Sequence, residues 1–497
     1  MCWLLTEQQL NLLIIARARG WIFDRDDLVD GNFDKHFKMR LRDDDKPLKI
    51  LHRCGWIIGW FLLALGSAQG QGQQLMGQRF FRKPADSVQY ETLRQQILEN
   101  LSLDIKSNND AITKKSEKLL IKVIPGYQFG RYAFYEDLQR TNRPDTITHL
   151  GLYVLEGRGI PEKVAACVNL KELDISGCDV RELPAWLGQL RHLETLTIAK
   201  SGLKRLKVHV GQLPSLREVN LPYNELRRIP RGLLAFDSVE GMNLSGNRLK
   251  TMPRFLGLFQ RLAYLNLGYN HFRRNRMKSN MTVKSINLSH NGLESMPFSL
   301  AGFNKLISLN LSYNSIARIQ NDLGGHELRV VNLYNNRLNH IPGNILKQSG
   351  IMNLDLSHNE ITSVPAAIAG MKELNVLSLW DNEVKELPYE LSRLPRLSTL
   401  YFQDNQLADL PDSLSRLPLV KLDVGYNRLT RIPPWVFQTN TIEELYVNNN
   451  DVAEIAEGIL TMSSLRVLYI FGNPFSDNPD LKRIVKALRD RNVDVRQ

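Results

Sequence analysis

Apolar residues recur along most of the chain in one pattern of about 23 residues. In its clearest copy, apolar residues stand at Leu374, Leu377 and Leu379, so the last part of the motif alternates between apolar and polar positions. Asn382 follows three residues later. Fifteen copies cover residues 147–475 in near-constant register. Such self-similarity at a fixed period predicts a repeat architecture rather than an ordinary globular domain.

Each copy predicts a short strand followed by a tight return. The alternating stretch is typical of a strand with one buried face and one wet face. The next apolar positions, Leu387, Leu391 and Leu394, have the spacing of a helical or 3₁₀ turn, which Pro388 can open. One such unit cannot bury its own apolar side. We therefore expect stacked units that form a parallel sheet on a curved solenoid.

A polar residue recurs where each strand is expected to end. A buried Asn amide there can bond backbone groups of its own turn and of the next turn. In the first three units this position holds Leu155, Cys178 and Ser201, and we interpret Cys178 as a buried filler rather than a reactive thiol. The predicted Asn ladder consists of Asn224, Asn247, Asn270, Asn291, Asn314, Asn336, Asn359, Asn382, Asn405, Asn427, Asn450 and Asn473.

The repeat resembles the leucine-rich repeat family over about two-thirds of the chain. The resemblance implies an α/β leucine-rich repeat solenoid, or horseshoe, with a parallel concave β-sheet and short helical or 3₁₀ convex segments. The Leu-x-x-Leu-Pro form looks most like the bacterial and intracellular Ras-group proteins. Paired-Cys caps, typical of many extracellular animal members, do not flank the array.

Regions outside the array predict caps and a spacer. The chain has 497 residues, 43% of them hydrophobic, which is typical of a folded protein. Residues 69–146 are interpreted as a spacer and an N-terminal cap over the open apolar end of the solenoid. Residues 476–497 predict a C-terminal capping helix, because apolar residues there lie along one helical face.

The N-terminal region predicts export. Residues 54–68 form an uncharged, apolar run after a basic flank, and Gly66-Ser67-Ala68 fits a cleavage site. We interpret residues 39–68 as a signal peptide or a membrane anchor, and a buried helix stays open. Residues 1–38 are an uncertain extension, explained by a start placed too early or by a genuine segment before an anchor. The expected location is periplasmic, cell-surface or secreted; the alternatives are membrane-anchored or cytoplasmic.

No motif for catalysis or cofactor binding accompanies the repeats. The sequence contains no phosphate-binding Gly-x₄-Gly-Lys-[Ser/Thr] loop, no kinase catalytic loop, no His-Glu-x-x-His and no Cys-x-x-Cys. Its histidines are scattered, so we expect neither a metal nor a cofactor. The sequence therefore favours a non-enzymatic binding protein.

The repeat register locates the wet strand positions, which flank the third leucine of each unit. These columns are polar in the first half of the array and aromatic and acidic in the second, a composition typical of a protein-binding hot spot for a basic partner. The predicted partner-binding residues are Trp380, Asp381, Tyr401, Gln403, Asp404, Asp423, Tyr426, Tyr446, Asn448, Tyr469 and Phe471.

Positive charge is concentrated in the first half of the array. Residues 201–284 contain 16 Lys and Arg against 4 Asp and Glu, a net charge equal to the +12 of the whole chain. Such a basic ridge can contact an acidic protein, an anionic lipid surface or a glycan, and nucleic acid is least favoured because no base-stacking motif accompanies it. The predicted ridge consists of Lys204, Arg205, Arg227, Arg228, Lys250, Arg273 and Arg274.

Two classes of function remain open from the sequence. The first is an exported or anchored scaffold, most consistent with a bacterial protein, that binds a protein partner on its concave face. The second is an intracellular regulatory adaptor of the Ras-group kind. The repeats cannot name the partner, because such scaffolds differ only in their surface columns.

The mature chain is expected to begin at or near Gln69. The basic flank, the short apolar run and Gly66-Ser67-Ala68 together favour cleavage there. The intact mass of protein purified from its native host measures this directly. A mass that retains residues 56–68 would contradict cleavage and favour the intracellular or anchored alternative.

Overall fold

The repeats build one continuous sheet, with one short strand from each unit. The computed structural model describes residues 132–153, 159–205, 213–251, 254–273, 282–296, 302–319, 327–475 and 479–497. The strands are β1 Tyr132–Phe134, β2 His149–Tyr153, β3 Glu172–Ser176, β4 Thr195–Ala199, β5 Glu218–Asn220, β6 Gly241–Asn243, β7 Tyr264–Asn266, β8 Ser285–Asn287, β9 Ser308–Asn310, β10 Val330–Asn332, β11 Asn353–Asp355, β12 Val376–Ser378, β13 Thr399–Tyr401, β14 Lys421–Asp423, β15 Glu444–Tyr446, β16 Val467–Tyr469 and β17 Asp494–Arg496.

Strands β2 to β17 each pair in parallel with their neighbours in sequence, and β1 pairs with β2. The register confirms the predicted solenoid, including the short unit of 21 residues, in which Tyr264 pairs with Ser285. One face of the sheet packs on the returning segments. We call the other, uncovered face the concave face.

The return of most units is a single turn of 3₁₀ helix. These turns span Pro144–Thr146, Glu162–Ala166, Ala185–Gln189, Arg231–Ala235, Arg254–Leu258, Ala366–Gly370, Tyr389–Arg393, Asp412–Arg416 and Glu457–Thr461. The α-helices are α1 Tyr135–Arg140, α2 Gly343–Leu346, α3 Pro434–Gln438 and α4 Pro479–Asp490.

In six of these turns a proline stands just before the turn rather than inside it. Pro144–Thr146 begins with its proline, and Glu457–Thr461 follows Ala456. Pro388 lies at the N-cap with an extended backbone, and its carbonyl accepts the hydrogen bond from the Leu391 N–H at 3.2 Å. The sequence suggested that Pro388 opens the turn as its first residue, whereas Pro388 occupies the N-cap, one residue earlier. The missing proline N–H costs nothing at the cap, and its fixed φ holds the chain as it leaves the strand.

The repeating leucines form one apolar core that runs through all described units. Leu374, Leu377 and Leu379 are fully buried, and so is Phe402, which replaces the third leucine of its unit. Each unit buries its apolar side against its neighbours, so the core extends in one dimension, as expected for a solenoid.

The Asn ladder is confirmed, and it links each unit to the one before it. The Asn314 Nδ2 donates to the carbonyls of Leu288, Leu311 and Ser312 at 3.0, 2.9 and 3.1 Å. Its Oδ1 accepts from the Leu293 N–H at 3.1 Å. The amide therefore bonds its own turn and the preceding unit, whereas the sequence suggested the following one. Asn359 makes the equivalent four contacts.

The first described ladder positions use smaller groups. Cys178 is buried, and its thiol donates to the Leu152 carbonyl at 3.5 Å. The hydroxyl of Ser201 donates to the Ala199 carbonyl at 2.8 Å and accepts from the Cys178 N–H at 3.3 Å. The role of Cys178 as a ladder filler is thus confirmed, while Leu155 lies outside the described residues.

The described part of the N-terminal cap packs on the first unit. Leu138 of α1 is fully buried in the core, and the Lys163 ammonium donates to the Gln139 carbonyl at 2.8 Å. The array and both described caps belong to one compact unit, Ala133–Gln497. The predicted extension (1–38), signal or anchor segment (39–68), spacer and most of the cap lie outside the described residues.

The C-terminal cap combines the predicted helix with an unpredicted strand. Ile484, Val485 and Leu488 of α4 are buried against the last units. Strand β17 then pairs with β16 and gives the sheet a short, charged edge of the kind that disfavours edge-to-edge association. The Arg491 guanidinium donates to the Leu460 and Met462 carbonyls at 2.7 Å, which ties the cap to the last return.

Asn314→Ala and Asn359→Ala are each expected to lower the free energy of unfolding by about 1–3 kcal/mol, because each leaves buried backbone groups without partners. Chemical denaturation followed by circular dichroism measures the loss. Asn440→Ala, at an exposed Asn outside the ladder, is the control and is expected to leave the midpoint unchanged. Unchanged midpoints in both ladder variants would show that the amides contribute no net stability.

Candidate protein-binding surface on the concave sheet

A left-handed residue precedes the ladder position in every described turn. Eleven of these fourteen residues are not glycine, although the left-handed region costs an L-residue about 1–2 kcal/mol. These residues are Gly177, Lys200, Tyr223, Gly246, Tyr269, His290, Tyr313, Asn335, His358, Asp381, Asp404, Tyr426, Asn449 and Gly472. Tyr269, Tyr313 and Tyr426 are 43%, 41% and 53% exposed, so this turn presents large side chains to solvent.

Aromatic side chains from this turn and the adjacent column form a continuous Tyr–His stack. The His290 ring lies between Tyr269 and Tyr313 at centroid distances of 4.0 and 3.9 Å, nearly parallel to both. Burial in this sandwich lowers the pKa of His290. The stack consists of Tyr269, His290, Tyr313, Tyr334, His358 and Trp380.

The stack continues to Trp380 through edge contacts. Tyr334 lies 5.0 Å from Tyr313 and 4.6 Å from His358, and His358 lies 4.3 Å from Trp380. The His358 Nδ1 also faces the Asp381 carboxylate. The expectation that the first half of the array is plainly polar is therefore wrong, because it considered the strand columns and not the residue before each ladder Asn.

Asparagines on the concave face mostly serve the backbone. The Asn287 Oδ1 accepts from the Ser289 N–H, and the Asn310 Oδ1 from the Ser312 N–H, both at 2.9 Å. The same position holds carboxylates later in the array, where the Asp423 Oδ1 accepts from the Gly425 N–H at 3.2 Å. This column is thus a second amide ladder, interrupted by acidic residues.

A second aromatic group, the C-terminal cluster, contains cations of the chain itself. The Lys421 ammonium lies over Tyr401 at 5.1 Å and over Tyr446 at 4.8 Å. It also bonds the Glu444 carboxylate at 2.7 Å. The C-terminal cluster consists of Tyr401, Lys421, Glu444, Tyr446, Tyr469, Phe471 and Arg496.

Electrostatics fix the protonation of this cluster. Burial alone would lower the pKa of the Lys421 ammonium, but the bond to Glu444 and the nearby tyrosines raise it overall. The same bond lowers the pKa of Glu444, whose carboxylate also accepts from the Tyr446 hydroxyl at 2.9 Å. Lys421 and Glu444 were missed because the strand columns left out the first position of each strand, which also faces outward. Arg496 was missed because β17, which places it beside Tyr469, was not predicted.

Two predicted partner-binding residues, Asn448 and Gln403, have buried side-chain atoms. Asn448 is buried, at 7% exposure, and its side chain fills the space beside Gly425, where a Cβ would lie 2.9 Å from its Oδ1. Its prediction as an accessible contact is wrong, since small side chains in this column pack under the turn. The Gln403 Oε1 is also buried, and it has no hydrogen-bond partner among the described residues.

Most of the remaining predicted residues belong to, or contact, one of the two aromatic groups. Trp380 ends the Tyr–His stack, and Asp381 pairs with His358 beside it. Tyr446 lies 4.7 Å from Tyr469, which lies 6.1 Å from Phe471. Within the described ranges, no ring contact joins Trp380 to the C-terminal cluster, so the predicted site is two adjacent groups rather than one.

Three carboxylates near the two aromatic groups have raised pKa values. Burial raises the pKa of Asp423 to about 6 and also raises the pKa of Asp355. Burial and the neighbouring Asp381 raise the pKa of Asp404, which forms no ion pair with a described residue. The concave face therefore offers partly desolvated carboxylates that a partner cation can pair with.

The basic ridge lies on the part of each unit that follows the ladder position, not on the concave face. Lys204, Arg205, Arg227, Arg228, Lys250 and Arg273 are exposed, and Arg274 lies outside the described residues. The Lys204 ammonium lies 3.9 Å from the Glu225 carboxylate, which also meets Arg248 at 3.4 Å. The described ridge residues stand at equivalent positions of successive units, and their role as one binding surface stays a prediction.

Two further features are absent from the described residues: a metal site and a membrane-spanning helix. No group of His, Cys, Asp or Glu side chains there has the arrangement of a metal site. No helix there has the length and apolar character needed to cross a bilayer.

Comparison with known proteins agrees with this geometry. A family model described as leucine rich repeat matches residues 326–384 and 349–407, and a second one matches residues 169–190. Among curated proteins, none is significantly similar to the sequence.

Solved structures share the fold. A leucine-rich repeat protein of Leptospira interrogans is 25% identical, with a TM-score of 0.61 over 73% of this chain and 100% of that one. The Toll–Spatzle complex of Drosophila is 17% identical, with a TM-score of 0.55 over 68% and 52%. A TDR receptor is 21% identical, with a TM-score of 0.50 over 66% and 60%.

The repeat register, the parallel sheet and these matches make this chain a leucine-rich repeat protein. Its fold is commonly a protein-interaction module, and proteins of the family are generally binding scaffolds.

Asp423→Asn is expected to stabilise the array at neutral pH and not in acid. Because the folded pKa, about 6, lies above that of an unfolded Asp, the folded state loses stability as pH rises from about 4 through 6. Asn keeps the acceptor for the Gly425 N–H without the charge. Thermal unfolding at pH 7.5 should show a gain on the order of 1 kcal/mol.

At pH 4 the Asp423→Asn variant and the parent should unfold at the same temperature. Asp409→Asn is the control, since Asp409 is exposed and lies 3.4 Å from Arg431, and it should bring no gain at either pH. An equal gain from Asp423→Asn at both pH values would exclude carboxylate desolvation as its cause.

Proposed function

We propose that this protein is a non-enzymatic scaffold that binds a protein partner on its concave face. The observation that carries the proposal is the pair of aromatic groups there, the Tyr–His stack and the C-terminal cluster. Rigid, partly exposed aromatics give large contact area at small entropic cost, and they dominate binding hot spots.

The size of the surface supports a protein partner. Neighbouring strands lie about 4.8 Å apart, so the five units from Trp380 to Phe471 span roughly 20 Å. The Tyr–His stack adds the units back to Tyr269. A surface of this length accommodates an interface of ordinary size.

Charge on the concave face supports a partner with basic side chains. Asp404 is exposed and unpaired among the described residues, and the pKa values of Asp355, Asp404 and Asp423 are raised. Pairing with a partner Lys or Arg would offset the cost of this desolvation. By contrast, Lys421 and Arg496 already cover the rings of Tyr401, Tyr446 and Tyr469, so the free acceptors concentrate nearer Trp380.

The anchor residues follow from these contacts. Trp380, Tyr401, Tyr426, Tyr446, Tyr469 and Phe471 would supply contact area, and Asp381, Asp404 and Asp423 would set polarity. Export through residues 54–68 is part of the same proposal, and the mature mass tests that part alone.

The double variant Trp380→Ala plus Tyr401→Ala is expected to lose the partner, because it removes one ring from each aromatic group. Affinity capture from the native host, quantified against the parent chain, measures the loss. Tyr389→Ala is the control, since Tyr389 is 47% exposed on a 3₁₀ turn away from the concave face.

Retention of all partners by the double variant, with loss in Arg227→Ser plus Arg228→Ser, would place the protein-binding site on the basic ridge and overturn the proposal. Circular dichroism of each variant confirms that the solenoid is intact.

A further inference from the structure

The basic ridge is a file of cations at equivalent positions of four successive units. The third residue after the ladder position is Lys204, Arg227, Lys250 and Arg273 in turn, and the fourth residue adds Arg205 and Arg228. All six side chains are exposed. The file ends at the next unit, where the same position holds Glu294.

Four of these six charges have no ionic partner among the described residues. Arg205, Arg227, Arg228 and Arg273 form no ion pair with any residue that the structure describes. At one equivalent position elsewhere the charge is neutralised: Arg431, four residues after its ladder Asn, lies 3.4 Å from Asp409 of the preceding unit.

Stacking like charges in adjacent units is unfavourable. Strands repeat about every 4.8 Å, and two unit charges at about 4 Å repel by roughly 1 kcal/mol in water. A ligand that carries negative charge at regular intervals along a line removes this repulsion for the whole file. A scattered acidic surface removes it only in part.

The ridge offers charge without an apolar anchor. The apolar residues between the cations, Leu226, Ile229, Leu249 and Phe272, are all buried in the core. A bilayer contact gains from side chains that enter the interface, and it presents a plane of charge rather than a line. The narrow file therefore fits a linear polyanion better than a membrane.

We propose that the basic ridge binds a linear acidic polysaccharide, which carries its carboxylate or sulfate groups at regular intervals along an extended chain. This site is separate from the concave face and does not depend on the protein-binding function proposed above. Arg205, Arg227, Arg228 and Arg273 would contact the anionic groups directly.

The test measures binding of the full chain to polygalacturonate and to heparin as a function of salt. Arg205→Ser plus Arg227→Ser plus Arg228→Ser should weaken binding at least tenfold, and the slope of log K against log salt should fall by about one for each lost contact. Thermal unfolding of the variant checks that the fold is intact.

The matched control is Arg428→Ser plus Arg431→Ser plus Arg318→Ser, which removes the same charge elsewhere on the array. Arg431 and Arg318 occupy the slot equivalent to Arg228. Binding of the control within about twofold of the parent supports the proposal. An equal loss in the control would show attraction to net charge alone and would overturn it.

Two further arms separate the other polyanions. Vesicles containing phosphatidylserine and a short DNA duplex are measured under the same conditions. If either binds tightly and loses binding only in the ridge variant, while both polysaccharides bind weakly, the ligand class is wrong. Because the ridge variant is expected to keep the concave partner, failure here leaves the protein-binding proposal untouched.

Discussion

The solenoid depends on one buried interaction, the amide at the end of each strand. Leaving a strand exposes carbonyls and an N–H that no sheet neighbour can satisfy, and an unmade hydrogen bond in the core is costly. The Asn314 amide satisfies four such groups at once, because it donates to three carbonyls and accepts from one N–H. Because one of those carbonyls and the N–H belong to the preceding unit, the amide also fixes how units stack.

The same turn also shapes the proposed binding surface. Holding the chain so that the Asn side chain points inward places the preceding residue in the left-handed region. Glycine is the least strained choice, and at Gly246 a Cβ would lie 2.4 Å from the Tyr223 ring. Elsewhere the chain places Tyr, His, Asp or Asn there and accepts the strain. Strain retained at exposed, aromatic positions is typical of functional sites.

Charge divides the array into two surfaces of different character. The ridge on the early units presents four arginines that form no ion pair with a described residue, whereas the concave face of the later units combines aromatic rings, desolvated carboxylates and two covering cations. Electrostatic complementarity governs partner choice and association rate more than raw affinity. The two proposed surfaces would therefore select different partners, although they share one continuous core.

The sequence by itself determined the solenoid, because the buried positions recur in the same register in every unit. The leucines, the Asn ladder, the short unit before Ser285 and the buried face of α4 could all be read from spacing. The same residue spacing located the basic ridge. Local periodicity suffices when each residue's neighbours are its equivalents one unit away.

Only the tertiary structure decided which surface residues meet. Spacing gave the column of Asn448 but not its burial beside Gly425, and it gave Tyr446 and Tyr469 but not the cations over their rings. His290 between two tyrosines depends on three residues from three units and on the left-handed turns that aim them. Side-chain direction and packing across units depend on three-dimensional contacts, which a one-dimensional pattern does not contain.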